Sequence, residues 1–265
     1  MKMSTPLTTG SSPWSVAAED WAVIQEPQHR PLWMAMQLAA GVQKGTRLLD
    51  AGCGAGGACF LAIHNYAAEA LGFDASEALI KLACQRVPSG NFEVSDLASP
   101  PFGAERFHVI TAANSLQFAA GPARALAAWK GRLIDSQGRI VVGLWCPQDE
   151  SEQIHIMRAV RDALPQPPIG VNPFALSPRG MVEDLLNDAG LNVVESRDVP
   201  NTFEYPDLET CWRGLRSGGS MRGAIDMVGE ARVKAVFMDA AQRFLMTDGS
   251  VFIHNKMRYV LAQNF

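Results

Sequence analysis

Short apolar runs alternate with longer amphipathic segments along most of this 265-residue chain. The short runs predict strands, and the longer segments, whose apolar residues recur every three or four positions, predict helices. Because a helical segment follows nearly every strand, the pattern indicates an α/β fold with a mostly parallel sheet. The seven predicted strands cover residues 47–51, 70–73, 91–94, 107–112, 139–145, 191–195 with an extension toward 205, and 251–261.

Three segments fall outside that alternation. Residues 1–13 are rich in Thr, Ser, Pro and Gly and predict a flexible tail. Residues 14–44 carry two amphipathic helical stretches, which we expect two prolines to interrupt. Residues 206–249 predict a helical insertion between the last two strands. The sequence therefore predicts a single domain over residues 14–265, in which two helical additions accompany a central sheet.

The first predicted strand leads into a glycine-rich stretch, LLDAGCGAGG at residues 48–57, and then into a helix. Glycines allow a tight turn and a close approach of ligand to backbone, and the helix start adds free N–H groups. Gly52, Gly54 and Gly57 satisfy the G-x-G-x-x-G pattern of dinucleotide sites, which is weak alone. Asp50, however, would repel a pyrophosphate and attract a cationic ligand. A cationic nucleotide ligand is favoured, and a dinucleotide or a purely structural turn stays open.

A second acid, Asp74, follows the second predicted strand, 22 residues (74 − 52) after Gly52. This spacing puts a carboxylate at the carboxyl end of the neighbouring strand, within reach of a ribose diol. S-adenosylmethionine (SAM) and NAD both carry such a diol, so Asp74 does not separate them. SAM carries an ammonium and a sulfonium and no phosphate, and it therefore suits the acid before the loop better than NAD does.

Asp50, Gly52, Gly54 and Gly56 form the pattern D-x-G-x-G-x-G, which resembles the first motif of the class I SAM-dependent methyltransferases. The stretches GFDASEALI, FEVSDLASPPF and ANSLQF are similar to the small-molecule group of that superfamily. That group includes ubiquinone and menaquinone C-methyltransferases and natural-product enzymes of secondary metabolism. The resemblance implies a Rossmann-like, doubly wound sheet of seven strands, mostly parallel, in the order 3-2-1-4-5-7-6. The sequence departs from the pattern at His108, where the superfamily often has an acid.

The resemblance also implies how SAM would be held. The methionine ammonium is expected near Asp50, the ribose on Asp74 and the adenine amino group on Asp96. The cofactor would leave as S-adenosylhomocysteine. The residues expected to contact it are Asp50, Gly52, Cys53, Gly54, Gly56, Asp74, Ala75, Asp96, Leu97, Asn114 and Gln117.

Composition narrows the partners to a small molecule. A net charge of −4 and an isoelectric point near 5.7 leave no large basic surface for nucleic acid or anionic membrane. The fourth strand ends in NSLQ at residues 114–117, and not in the [DN]-P-P-[YF] of enzymes that methylate amines or amides of nucleic acid and protein. No apolar run reaches the length of a membrane span. Five scattered cysteines without metal-binding spacing predict a reduced, cytoplasmic protein without a metal site.

Methyl transfer from a sulfonium is an in-line displacement of an activated group, so the protein mainly supplies position and desolvation. A base is needed only where the acceptor must lose a proton. His155, on the polar side of the helix after the fifth strand, is the preferred candidate for that base. His29 and Glu204 are weaker candidates.

We expect the acceptor to be a small, largely apolar metabolite enclosed by aromatic side chains. The two helical additions would act as a lid over the carboxyl ends of the strands, where ligands bind in such sheets. Two other functions stay open: an NAD(P)-dependent oxidoreductase, and a SAM-binding fold used for other chemistry such as cyclisation. The residues expected to line the acceptor pocket are Trp14, Trp21, Gln117, Trp145 and Trp212.

Overall fold

The computed structural model describes residues 13–134, 137–166 and 172–264, so that the predicted tail lies almost wholly outside the described residues. A seven-stranded sheet runs through them in the order β3-β2-β1-β4-β5-β7-β6, which confirms the predicted order. The strands are β1 Arg47–Ala51, β2 Glu69–Asp74, β3 Asn91–Val94, β4 Val109–Ala113, β5 Arg139–Trp145, β6 Asn192–Tyr205 and β7 Val251–Gln263.

The strands β1 to β5 pair in parallel and form one side of the sheet. In β5 every residue after Arg139 is buried, because helices cover both faces of a parallel sheet. β7 runs antiparallel between β5 and β6. The second half of β6 alternates between buried and more exposed residues, as an antiparallel edge strand with one packed face does. The parallel strands therefore supply the deepest part of the core.

Helices pack on both faces of the sheet. They are α1 Ala18–Asp20, α2 Arg30–Ala39, α3 Gly57–Tyr66, α4 Glu77–Arg86, α5 Pro122–Lys130, α6 Gln153–Asp162, α7 Met181–Asp188, α8 Leu208–Ser217, α9 Arg222–Val228 and α10 Glu230–Ala241. α5 and α7 share one core cluster with the strands, in which Trp129 and Leu186 are fully buried. A larger cluster joins α2, α6, α8 and α10. None of the helices in the described part of the chain combines the length and apolar character that crossing a bilayer requires.

The N-terminal segment, residues 13–39, follows a nearly continuous helical path. After α1 come a π-helical turn, Trp21–Gln25, a 3-10 turn, Glu26–His29, and then α2. The expectation that Pro27 and Pro31 interrupt this path was wrong. Each proline occupies a first-turn position, where its missing N–H removes no helical hydrogen bond. The chain can therefore carry its side chains around one continuous helical surface.

The insertion, residues 206–249, contains α8, α9 and α10, linked by short turns. Asp207 caps α8 by accepting a hydrogen bond from the Thr210 N–H at 2.7 Å. α8 packs on the N-terminal segment, where Arg213 pairs with Asp20 at 2.6 Å. The two helical additions therefore contact each other.

Candidate functional site

The glycine loop, residues 52–57, turns by means of left-handed backbone angles. Gly52, Gly54 and Gly56 have φ values of 79°, 55° and 81°, which residues with a Cβ rarely adopt. A Cβ on Gly52 would also collide with the side chain of Ser115 at the end of β4. The loop is therefore pressed against the neighbouring strand end on one side, and the N-terminal segment covers its other side.

Asp50, the last but one residue of β1, lies beneath the loop and is 2% exposed. Its Oδ1 accepts a hydrogen bond from Thr111 Oγ1 at 2.7 Å, and Cys59 Sγ lies 4.0 Å from Oδ2. Burial raises the pKa of this carboxyl to about 6, although the Thr111 hydrogen bond acts in the opposite direction. Asp50 is therefore held in one orientation, but its charge is poorly compensated.

Asp74 ends β2 and directs its carboxylate to the same loop. Its Oδ2 accepts a hydrogen bond from the Gly54 N–H at 3.1 Å, and its Oδ1 accepts one from the Ser76 N–H at 2.9 Å. Burial raises its pKa, against the effect of these backbone donors. A second acid therefore lies beside the loop at the end of the strand next to β1, where the spacing predicted a carboxylate.

A third carboxylate reaches the loop from the N-terminal segment. Glu26 Oε1 accepts a hydrogen bond from the Ala55 N–H at 2.6 Å and lies 2.6 Å from where a Cβ on Gly54 would be. The other oxygen pairs with Arg86 at the end of α4. Burial raises the pKa of Glu26 to about 7 despite that ion pair. Glu26 could not be predicted from the sequence. Its position depends on how a distant turn packs on the loop, and no local motif marks it.

Three carboxylates therefore surround one loop, of which those of Asp50 and Glu26 are buried and that of Asp74 is partly exposed. Within the described ranges of the chain, Arg86 alone among the cationic side chains forms an ion pair with any of them. Repulsion adds to burial, since Asp74 raises the pKa of Asp50 and Asp50 raises that of Glu26. The site carries an excess of buried negative charge, which a positively charged ligand would relieve.

The end of β4 forms a second wall beside the loop. Asn114 has a left-handed φ of 55°, and its N–H donates to the Gly143 carbonyl at 2.7 Å. Gln117 donates from Nε2 to the Asn114 side chain, which leaves its own buried Oε1 without a hydrogen-bond partner. The Trp14 ring packs 4.8 Å from that of Phe118. The strand end therefore offers a free acceptor atom next to the covering segment.

His29 lies at the centre of an aromatic cluster next to the loop. It is 4% exposed, and burial lowers its pKa to about 4. Neither its Nε2 nor the buried Nε1 of Trp21 has a hydrogen-bond partner. Four aromatic rings pack around the imidazole at centroid distances between 5.4 and 6.4 Å: Trp21, Trp33, Trp145 and Phe203.

Members of this aromatic cluster contact both sides of the site. Trp21 Nε1 lies 3.4 Å from where a Cβ on Gly54 would be, and the Trp33 ring fills the space that a Cβ on Gly57 would need. Trp145 is the last residue of β5. The cluster therefore connects the glycine loop with the end of the fifth strand.

The sequence profile of a family described as "Methyltransferase domain" matches residues 48–135. These residues run from β1 through the glycine loop and Asp74 to the helix beyond the end of β4, and so they include the strand-built half of the site. Residues 48–135 therefore resemble a methyltransferase domain, and the sheet around them has the strand order expected of the class I SAM-dependent methyltransferase fold.

Solved structures share this methyltransferase fold over most of the chain. The [4+2]-cyclase SpnF is 18% identical with a TM-score of 0.58, over 88% of this chain and 80% of that one. A putative methyltransferase from Bacillus halodurans C-125 is 15% identical with a TM-score of 0.56, over 87% and 97%. Geranyl diphosphate C-methyltransferase from Streptomyces coelicolor A3(2) is 15% identical with a TM-score of 0.52, over 88% and 78%. No curated protein matches the sequence.

The predicted adenine side of the site is more open than the loop. Asp96 is exposed, and its Oδ1 accepts a hydrogen bond at 2.8 Å from the backbone N–H two residues further on. The Leu97 side chain instead lies against the loop, 3.5 Å from where a Cβ on Gly52 would be. Cys53 is buried and Ala75 is exposed. In this conformation Asp96 stabilises its own turn.

Several residues named from the sequence lie away from the loop. Trp212 is buried between α8 and α10, with its ring 5.1 Å from that of Phe237, and it belongs to the core of the insertion. His155 is exposed on α6, and Glu204 is exposed on β6. Of the three histidine and glutamate candidates for a base, His29 is the one that the structure brings into the aromatic cluster.

A cavity of about 340 Å³ opens between α6 and α9. Its lining is largely apolar and includes Met157, Phe174 and Met221, with Arg158 among the polar members. The Phe174 ring lies 5.5 Å from that of Trp145. Phe174 therefore lies both in the lining of the cavity and beside the aromatic cluster.

One group of potential metal ligands lies in the described parts of the chain. Cys146, Glu150 and Asp198 bring one ligand atom each to within 4.8 Å of one another. Arg179 pairs with Glu150 at 2.8 Å and with Asp198 at 2.9 Å, and Lys256 pairs with Glu150 at 2.8 Å. Since these cations already neutralise the carboxylates, the group is an ion-pair network that joins β5, β6 and β7.

Proposed function

We propose that this protein transfers a methyl group from SAM to a small, largely apolar metabolite and releases S-adenosylhomocysteine. The observation that carries the proposal is the excess of carboxylates around the glycine loop, namely the buried Asp50 and Glu26 and the partly exposed Asp74. SAM brings an ammonium and a sulfonium to that loop. NAD(P) would bring a pyrophosphate, whose negative charges would add to the repulsion. The charge of the site therefore supports SAM over a dinucleotide and a methyltransferase over an NAD(P)-dependent oxidoreductase.

The residues present fit SAM in their donor and acceptor chemistry. Asp74, at the end of β2, would accept from the ribose hydroxyls, and Glu26 and Asp50 would attract the ammonium. Gln117 Oε1 is buried without a partner, and it offers an acceptor to a ligand N–H or O–H group. Bound SAM supplies an activated methyl group, so the protein has to bind, orient and desolvate the reactants.

Exclusion of water is the task of the two helical additions. The N-terminal segment already places Trp21 and Glu26 over the loop, and α8 supports it through the ion pair of Arg213 with Asp20. The aromatic cluster around His29 offers an apolar wall on the side of β5. We propose that residues 14–44 and 206–249 form a lid, and that the acceptor reaches the loop from the cavity between α6 and α9.

The unpaired state of the cysteines supports a cytoplasmic location. All five are free, and Cys84 alone is exposed. An oxidising compartment would favour disulfides in their place.

A binding comparison tests the cofactor, and product mass tests the reaction. Calorimetry with SAM, S-adenosylhomocysteine, NAD and NADP should show heat for the first two only. A panel of small apolar metabolites incubated with SAM should give a product heavier by one methylene unit together with S-adenosylhomocysteine. Tight NAD(P) binding would overturn the proposal. A product with the mass of its substrate, formed while SAM stays intact, would assign the protein to non-methylating chemistry such as cyclisation.

A further inference from the structure

Two polar atoms of opposite hydrogen-bonding character lie buried and unpartnered in the aromatic cluster. Trp21 Nε1 carries an N–H and can only donate, and it has no acceptor. His29 Nε2 also has no partner. The two ring centroids lie 5.8 Å apart, and the ring planes are inclined by 34°. A buried polar atom without a partner costs free energy that a ligand can recover, and here two such atoms belong to neighbouring rings.

The other nitrogen of His29 fixes the chemistry of Nε2. Hydrogen bonding to the backbone of Gln25 and Glu26 acts to raise the pKa of His29, and Nε2 has no hydrogen-bond partner. We assign the proton to Nδ1, which can then donate to a backbone carbonyl and leaves a lone pair on Nε2. Burial lowers the pKa of His29 to about 4, and the ring is therefore neutral near pH 7. His29 Nε2 is an acceptor and Trp21 Nε1 is a donor.

The Trp21 member of the pair lies beside the glycine loop. Trp21 Nε1 is 3.4 Å from where a Cβ on Gly54 would be, on the side of the loop that faces the N-terminal segment. Trp145 closes the far side of His29 at the end of β5, with ring centroids 6.4 Å apart. A group held between the two nitrogens would be next to the loop and enclosed by apolar rings.

We propose that Trp21 Nε1 and His29 Nε2 bind a hydroxyl group of the acceptor, so that the methyl group is transferred to oxygen with His29 as the general base. This inference rests on the proposed function and adds the acceptor atom. A hydroxyl is the small group that accepts from one neighbour through oxygen and donates its proton to another. An aromatic or aliphatic alcohol fits the apolar walls.

This arrangement accounts for every proton and electron pair that moves in the reaction. A lone pair of the acceptor oxygen attacks the methyl carbon, and the carbon–sulfur bond breaks with its electron pair returning to sulfur. The hydroxyl proton moves to His29 Nε2. The imidazolium formed in an apolar cluster is strongly acidic, because burial disfavours its charge, and it passes the proton to water when the product leaves.

Direct binding of a phenol tests the pair without any turnover. The probe is 4-nitrophenol, titrated into protein saturated with S-adenosylhomocysteine, since its absorption changes when its hydroxyl donates a hydrogen bond or loses its proton. The wild type should bind it more tightly than nitrobenzene and shift its spectrum. Trp21→Phe keeps a ring and removes the N–H, and it should weaken binding about tenfold. His29→Phe should abolish the spectral shift. Trp33→Phe replaces another aromatic ring of the same cluster with a smaller one. It controls for lost packing and should keep the spectral shift.

Transfer chemistry supplies the second readout. With methyl-labelled SAM and matched phenols, anilines and thiols, the label should appear on oxygen. His29→Phe should lower kcat by about 100- to 10,000-fold and leave the affinity for SAM unchanged, whereas His64→Asn, at an exposed position of α3, should have no effect.

Two results overturn the assignment: a phenol that binds no better than its hydroxyl-free counterpart, or label on carbon or nitrogen at a rate that His29→Phe leaves intact. The second would keep the methyltransferase and discard the base. A protein that prefers the phenol but does not bind SAM would keep the hydroxyl site and discard the proposed function.

Discussion

On the strand side of the glycine loop the two acids at the ends of β1 and β2 have partners within the protein. Asp50 accepts from Thr111, and Asp74 accepts from two backbone N–H groups. On the opposite side, in the N-terminal segment, Trp21 Nε1 and His29 Nε2 are buried without any. A satisfied buried group fixes geometry, whereas an unsatisfied one costs free energy until a ligand supplies its partner. The two strand-side acids are therefore fixed by folding, and we expect the two unpartnered atoms of the covering side to gain their partners from a ligand.

The largest loss of SAM binding should come from a substitution that fills the space between the two sides of the glycine loop. Gly54→Val places a branched side chain at a φ of 55°, with its Cβ 2.6 Å from Glu26 Oε1, so SAM binding in calorimetry should be lost. Gly103→Val is the matched control, because Gly103 has a φ of 54° and open space around it. It carries the same backbone strain and should bind SAM normally. Retained binding by the Gly54 variant would show that the ligand lies elsewhere.

A smaller loss should follow from removing one strand-side acid. Asp74→Ala should weaken SAM binding by about 1–3 kcal/mol, the range for a lost hydrogen bond to a charged group. Asp96→Ala should weaken it less, because Asp96 is exposed and stabilises its own turn. Calorimetry on both variants decides between them. If the Asp96 variant showed the greater loss, the adenine contact inferred from the family would outweigh the ribose contact.

The acids on both sides should make binding and stability depend on pH in opposite directions. Burial raises the pKa of Asp50 from 3.8 to about 6 and that of Glu26 from 4.5 to about 7. The folded protein therefore holds protons that the unfolded chain has lost, and its stability falls as pH rises from 3.8 toward 7. A cationic ligand favours the ionised acids, so SAM affinity should rise over the same interval and binding should release protons.

Denaturation of the free protein and calorimetry in buffers of different ionisation enthalpy measure these two slopes. Glu26→Gln should flatten both, because it removes the group with the pKa of about 7. A SAM affinity independent of pH would mean that the ligand's cationic groups lie far from Asp50 and Glu26.

The smallest expected effects, on hydrogen exchange and on stability, concern the two helical additions. Hydrogen exchange should slow in residues 14–44 and 206–249 when S-adenosylhomocysteine and an acceptor bind, and change little in β1. Arg213→Ala removes one of two ion pairs to Asp20, since Arg216 also pairs with it, and it should cost about 0.2–1 kcal/mol of stability. Unchanged exchange in both segments, together with protection of the glycine loop, would refute the lid.

Much of the sheet could be predicted because its central strands are rich in apolar residues. The central strands β1 and β5 have the predicted bounds, Arg47–Ala51 and Arg139–Trp145, and so does the edge strand β3, Asn91–Val94. β6 reaches Tyr205, as its suggested extension predicted. The strand order was inferred from the family resemblance, because hydrophobic periodicity alone does not show which strands are neighbours. The prolines misled the prediction for the N-terminal segment, because their effect depends on whether they fall in a first turn.

The candidate site likewise contains some residues that could be predicted from the sequence and others that could not. The acids at the ends of β1 and β2 could be predicted because a local motif and a fixed spacing mark them. Glu26 could not, since it bonds to Ala55 across 29 positions of sequence. The cluster around His29 is equally non-local, because its rings come from the N-terminal segment, β5 and β6. Trp212 matched the composition of a pocket wall but packs inside the insertion.

The π turn, Trp21–Gln25, sets the rotational phase of the helical surface that follows it. Each residue advances an α-helix by about 100° around its axis, and π turns are single-turn irregularities that concentrate at functional sites. Deleting Val23, which is exposed, would relax this turn and rotate Glu26 and His29 away from the loop. A one-codon insertion or deletion here would exchange the side chains that meet the acceptor and leave the glycine loop untouched. Substrate range could therefore diverge by a change of helical register without any substitution in the cofactor site.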